Sequence, residues 1–115
     1  MTSKNALGTV EIADEVLAAI AGQAATSCAG VKGMTSQSVS TELAYPIGWD
    51  SPSRGVCVTA APDGGVDLDL HLAVDHGVNI AMVCRAVIRE VRRHVEYLTG
   101  IKVQNVDVYV ERMRG

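Results

Sequence analysis

Phenylalanine is absent from this 115-residue chain, and other aromatic residues are few: one Trp and three Tyr. A core must therefore be assembled from Val, Leu, Ile and Ala, which favours tight β-branched packing over an aromatic-lined ligand pocket. Cysteine is scarce and odd in number. Cys28, Cys57 and Cys84 include no C-x-x-C pair, so the sequence encodes neither a disulfide framework nor a zinc ribbon. Reduced thiols in the cytoplasm are the simpler reading. No apolar run approaches the roughly 20 residues that cross a bilayer. Met1 to Leu7 carries one Lys and no apolar signal core, so any membrane association is expected through a partner. The charge balance, −3 with a pI near 5.5, lacks the basic excess of a general nucleic-acid binder. Walker, G-x-G-x-x-G, H-E-x-x-H and G-x-S-x-G signatures are all missing. In so short a chain this weighs against nucleotide, zinc-protease and serine-hydrolase chemistry, and no cofactor is expected.

What is present is periodic apolar spacing, enough for one domain over 8–115 behind a flexible N-terminal tail over 1–7. A helix is predicted at about 13–27, with Ile12, Val16, Leu17, Ile20, Ala21 and Ala24 on its apolar stripe and Asp14 and Glu15 in its first turn. Its outer side would be a strip of small residues, Ala18, Gly22 and Ala25. Those are either plain helix formers or an opening for close approach by another element. A strand over about 31–41 and a loop over 42–54 follow, the loop holding Tyr45, Pro46, Trp49 and Pro52.

Pro62-Asp63-Gly64 reads as a hairpin turn. It sets Ala60 opposite Val66, Val58 opposite Leu68 and Val56 opposite Leu70, which gathers one apolar face. Cys57, Thr59, Asp67, Asp69 and His71 fall on the other. Asn79 is the expected N-cap of a second helix with the stripe Ile80, Val83, Cys84, Val87, Ile88, Val91, Val95 and Leu98, and Gly100 is its stop. In the last strand, Val103 is out of phase with Val106, Val108 and Val110, so a bulge at Gln104-Asn105 is predicted. The order is α-β-β-β-α-β. Its economical packing is an α+β domain with a small antiparallel-rich sheet and both helices on one face.

Candidate chemistry is sparse. Cys57 lies opposite Asp69 and diagonal to His71, but without a pocket or an oxyanion donor this is better read as a polar sheet face than as a catalytic site. Asp67, Asp69, Asp75, Asp107 and Glu111 are spread along strands instead of gathered in a calcium loop, so no metal site is expected. The second helix offers more. Arg85, Arg89, Arg92 and Arg93 lie roughly opposite its apolar stripe. With Glu90 at the flank and an Arg92/Glu96 i,i+4 pair, they leave a basic ridge on an acidic protein and form the candidate interaction face. An acidic protein surface, another copy or an anionic membrane surface would suit it.

Two phrases frame the chain. The first is Gly8-Thr-Val-Glu-Ile-Ala-Asp-Glu-Val with Ile20-Ala-Gly-Gln-Ala-Ala and Gly30-Val-Lys-Gly-Met34. The second is Asp75-His-Gly-Val-Asn-Ile80, leading to Thr99-Gly-Ile-Lys-Val-Gln-Asn-Val-Asp-Val-Tyr-Val110, with Gly55-Val-Cys-Val58 between them. In this order and spacing they resemble the alkaline shock protein family, the cell-envelope stress response proteins of Gram-positive-type bacteria, over residues 8 to 112. The resemblance implies a non-enzymatic cytoplasmic scaffold that meets the membrane through a separate small anchoring protein. It also implies Ser where this chain has Ala13, so a helix cap has been lost. A rival reading is a small RNA-binding α+β module, for which Tyr109 is the one stacking platform on the sheet.

Overall fold

Helical and strand periodicities change over close to where the apolar spacing predicts. A computed structural model describes residues 2–5, 8–35 and 55–112. In chain order these form strands β1 (Thr2–Asn5) and β2 (Gly8–Glu11), helix α1 (Asp14–Thr26), strands β3 (Val31–Met34), β4 (Val56–Ala60) and β5 (Val66–Val74), helix α2 (Ile80–Thr99) and strand β6 (Val103–Arg112). From α1 onward this is the expected α-β-β-β-α-β order of an α+β domain. Ahead of it, β1 pairs antiparallel with β2, Thr2 opposite Glu11 and Asn5 opposite Gly8. Part of the tail expected over 1–7 is thus a hairpin, one that polar Thr2, Ser3, Lys4 and Asn5 do not announce by alternation. The predicted strand over 31–41 is seen from Val31 to Met34. Its remainder beyond Thr35 and the predicted loop over 42–54, with Tyr45 and Trp49, lie outside the described residues.

β5 is the centre of the main sheet. β4 pairs antiparallel along its first half, β3 antiparallel along its end, and β6 parallel along its whole length. One side of β5 is therefore shared by two short strands set end to end. At their junction the His71 N–H donates to the Gly55 carbonyl at 2.8 Å, and the Thr35 N–H donates to the His71 carbonyl at 2.9 Å. The parallel β5–β6 pair needs a crossover, and α2 supplies it.

The turn and bulge fall where predicted. Ala60 faces Val66, Val58 faces Leu68 and Val56 faces Leu70, with Gly64 at φ 95°. Val66 pairs with Val103 but Asp67 with Asn105. Gln104 is thus the extra residue, and Val106, Val108 and Val110 return to the inner face.

Burial follows these patterns with two corrections. Val66, Leu68, Leu70 and Leu72 of β5 are fully enclosed, as are Val87, Val91 and Val95 of α2. The α2 stripe is narrower than predicted: Cys84 and Ile88 are half-buried, while Ile80 and Leu98 at the helix ends are exposed. α1 is turned further. Ala18, Gly22 and Ala25, expected outside, are buried together with Leu17, Ala21 and Ala24, whereas Val16 is exposed. The small strip faces α2 and the sheet, because the distance of closest approach between elements is set by side-chain size.

The caps divide the helices. Asn79 Oδ1 accepts from the Met82 N–H at 3.1 Å, and Gly100 closes α2 in the left-handed region at φ 75°. Ala13 has the extended N-cap conformation but no side-chain acceptor. Ala13→Ser is therefore expected to raise stability by about 1 kcal/mol. Urea titration checks this, and an unchanged midpoint would show that the α1 start gains nothing from a hydroxyl.

Candidate functional site

α2 buries its valine row against the sheet and so must turn the opposite side to water. There Arg85, Arg89, Arg92 and Arg93 are all exposed. With Ile88 and Glu96 they line an open groove of about 470 Å³. The four guanidiniums are not equivalent. Arg93 makes a forked contact to Glu90, Nε to Oε2 and Nη2 to Oε1, both 3.1 Å. That bond, more than any charge effect, lowers the Glu90 carboxyl pKa and raises that of Arg93. Arg92 Nη2 donates to the Gln104 carbonyl at 3.3 Å.

The expected Arg92/Glu96 pair gives way to another arrangement. Glu96 Oε2 accepts from the Val103 N–H at 2.9 Å, a backbone donor held in fixed position at the start of β6. Among the described residues, Arg85 and Arg89 have no hydrogen-bond or ion-pair partner. They are the uncommitted part of the ridge.

The sheet face away from the helices carries the opposite charge. Cys57, Thr59, Asp67, Asp69 and His71 lie on it as the hairpin register predicts. The parallel register adds Asn105, Asp107, Tyr109 and Glu111 from β6. Asn105 Nδ2 donates to Asp67 Oδ1 at 3.0 Å. His71 stacks on Tyr109, ring centroids 4.8 Å apart and planes 17° from parallel. Asp69 stands between Cys57 on one neighbouring strand and Asp107 on the other. The β6 contribution could have been found by phase, since these residues alternate with Val106, Val108 and Val110 beyond the bulge. The β5–β6 pairing itself could not be read from the spacing.

Among the described residues, no group of three His, Cys, Asp or Glu side chains could hold a metal ion. Burial raises the Cys28 thiol pKa, assisted by the Glu90 charge and opposed by Arg89; burial alone raises that of Cys84. Both therefore stay protonated at neutral pH and are poor nucleophiles. No helix among the described residues is long and apolar enough to cross a membrane.

The family model for alkaline shock protein 23, described as having a cell envelope-related function, matches residues 2–114. The chain belongs to this family. The match spans both charged faces of this alkaline shock protein family member. It is 32% identical to YloU of Bacillus subtilis, over 93% of this chain and 89% of YloU. It is also 32% identical to YqhY of the same organism, over 90% of this chain and 76% of YqhY. Spy1614 of Streptococcus pyogenes is 29% identical over 93% of this chain and 88% of its own length. No solved structure matches the chain.

Proposed function

We propose that this protein is a non-enzymatic cytoplasmic scaffold serving the cell envelope and its stress response, and that the arginine ridge of α2 docks an acidic protein surface. Family membership supports the envelope connection. The observation that carries the docking reading is the pair of uncommitted guanidiniums, Arg85 and Arg89, in an open groove on a chain of net charge −3. Guanidinium presents a rigid fork that matches carboxylate geometry, so a ridge of arginines selects carboxylates more sharply than lysines would. Membrane contact, in this reading, is made through an anchoring protein partner.

The RNA-binding reading is weaker on physical grounds. The His71–Tyr109 stack is a platform for a base. Asp67, Asp69, Asp107 and Glu111 share its face, and their charge repels the phosphates that supply most nucleic-acid affinity.

The test is the double change Arg89→Glu, Arg93→Glu. Both side chains are exposed, so solvent screens the new Glu facing Glu90 and folding should be nearly intact. Capture of the cross-linked partner from cells should fall by about tenfold or more. Wild-type capture should also weaken as salt rises, since the Debye length shrinks from about 10 Å at 0.1 M to about 3 Å at 1 M. Capture that is indifferent to both the substitutions and salt would sink the docking reading. Capture lost only on nuclease treatment would favour RNA.

A further inference from the structure

We infer that the free edge of β6 binds an extended segment of a partner protein, one whose residues alternate between apolar and basic, as a further strand of the sheet. This site does not need the ridge, since it is built from backbone. Among the described residues β6 pairs only with β5. Which of its polar groups lie open follows from the ladder. Successive residues of a strand turn their backbone groups to opposite sides. The His71 N–H and C=O point to Gly55 and Thr35, so Leu68, Leu70 and Leu72 turn theirs toward β6. In the parallel register these bond to the residues flanking Val106, Val108 and Val110. The N–H and C=O of those three valines therefore face outward.

At the start of β6 the same edge is closed by side chains of α2: Glu96 accepts from the Val103 N–H and Arg92 donates to the Gln104 carbonyl. Beyond the bulge no such cover follows among the described residues. Natural sheets blunt an edge with Pro, Lys, a bulge or a covering element. From Val106 to Glu111 there is neither Pro nor Lys, and the bulge lies at the other end. An open row of this kind is a template for strand addition.

The side chains around the edge state what the added strand must carry. Leu68, Leu70 and Leu72 of β5 are fully enclosed, but Val108 and Val110 beside them are only half-buried. Arg92, Ile88 and Cys84, four residues apart, form the flank of α2 that the Arg92 bond to Gln104 sets over β6. Ile88 and Cys84 are half-buried too. A strand laid on this edge would set alternate side chains against Val108, Val110 and Ile88, and these must be apolar. The others would emerge beside Asp107 and Glu111, both exposed. Opposite charges across neighbouring strands are stabilising and like charges are not, so those positions call for Lys or Arg. The β6 of a second copy fails this requirement, because it would bring the acids of one chain beside those of the other.

The experiment is amide hydrogen exchange of the purified full chain by NMR, with titration of a capped peptide that alternates Val and Lys. This probe has no carboxylate for the ridge, so its binding reports on β6. In the free chain the N–H groups of Val106, Val108 and Val110 should exchange fast and those of Asp107 and Tyr109 slowly. Bound peptide should slow the first set as well. The same peptide with Glu in place of Lys should bind at least about tenfold more weakly. Of two N-methylated versions, one blocked at its Val residues and one at its Lys residues, one loses the N–H groups that face β6 and should bind at least about tenfold more weakly. Asp107→Lys/Glu111→Lys, at exposed positions, should reverse the preference from the Lys to the Glu peptide. Val108→Pro removes an outward N–H and no bond to β5, and should weaken the Lys peptide at least about tenfold. Thermal melts confirm that it is folded, and Val110→Pro stands in if it is not. A Lys peptide that does not bind, N-methylated versions that both bind as well, bound peptide that leaves the three valine amides fast, or a charge variant that keeps the Lys preference would each overturn the inference. So would slow exchange of those amides in the free chain that is lost on dilution, since the edge would then belong to a second copy.

Discussion

Gly55→Ala is expected to destabilise the fold severely. The residue sits where β3 and β4 meet on β5, with φ at 77°. A Cβ there would lie 2.3 Å from the Thr35 carbonyl oxygen and 2.8 Å from that of His71. Both obstacles are backbone atoms, so no rotamer change relieves them. The strands would have to separate, and the bonds His71 N–H to Gly55 and Thr35 N–H to His71 would go with them. The unfavourable backbone conformation costs about 1–3 kcal/mol, and each lost hydrogen bond adds about 0.5–1.5 kcal/mol. The sum is a large part of the roughly 5–15 kcal/mol that holds a small domain folded. Gly64→Ala is the control, because Gly64 also has positive φ, at 95°, but nothing within 4 Å of the added atom. It should lose only about 1–2 kcal/mol. Urea unfolding of both variants checks the claim; equal losses would mean that the β3–β4 junction opens without harm.

The sequence announces elements whose signals are local. The hairpin at Pro62-Asp63-Gly64 is legible because only one register unites Val56 and Val58 with Leu70 and Leu68, and the structure uses that register. The Gln104 bulge is legible for the same reason, as a break in phase between Val103 and Val106. Asn79 and Gly100 mark the ends of α2 by side-chain and backbone chemistry that needs no tertiary partner. Periodicity fails where every candidate residue is small. Ala18, Ala21, Gly22, Ala24 and Ala25 differ too little in apolar area to define a direction, so the orientation of α1 is decided by how closely it can approach α2 and β3. The β1–β2 hairpin is missed for a related reason, since Thr2 to Asn5 are all polar in sequence and show no alternation.

The site divides the same way. That Arg85, Arg89, Arg92 and Arg93 share one side of α2 follows from helical geometry alone. Which of them are committed does not. Glu90 takes Arg93, and Arg92 and Glu96 turn to Gln104 and Val103, so the preference depends on where β6 begins relative to α2. Likewise the stacking of His71 on Tyr109 and the opposition of Asp69 to Asp107 arise from the parallel β5–β6 register. Thirty or more residues separate those partners, and no local pattern encodes the crossover that aligns them.

Leu70→Ala should cost about 3–5 kcal/mol, at the upper end for a buried leucine. Leu70 is fully enclosed at the middle of the central strand, paired with Val56 on one side and Val108 on the other. The cost of a truncated core residue depends on how far its surroundings collapse into the space. Here they have little freedom. The buried α2 side chains Val87, Val91 and Val95 are β-branched and stiff at χ1. Phe is absent and only four methionines occur in the chain, so large or flexible side chains that could swing inward are few. Leu70→Met, which conserves volume, should lose less than about 1.5 kcal/mol. Urea titrations of the two variants should share one slope and differ in midpoint, as expected when native stability alone has changed. A Leu70→Ala loss below about 2 kcal/mol would fall short of the range for buried leucine truncations and show that the valine-built core repacks.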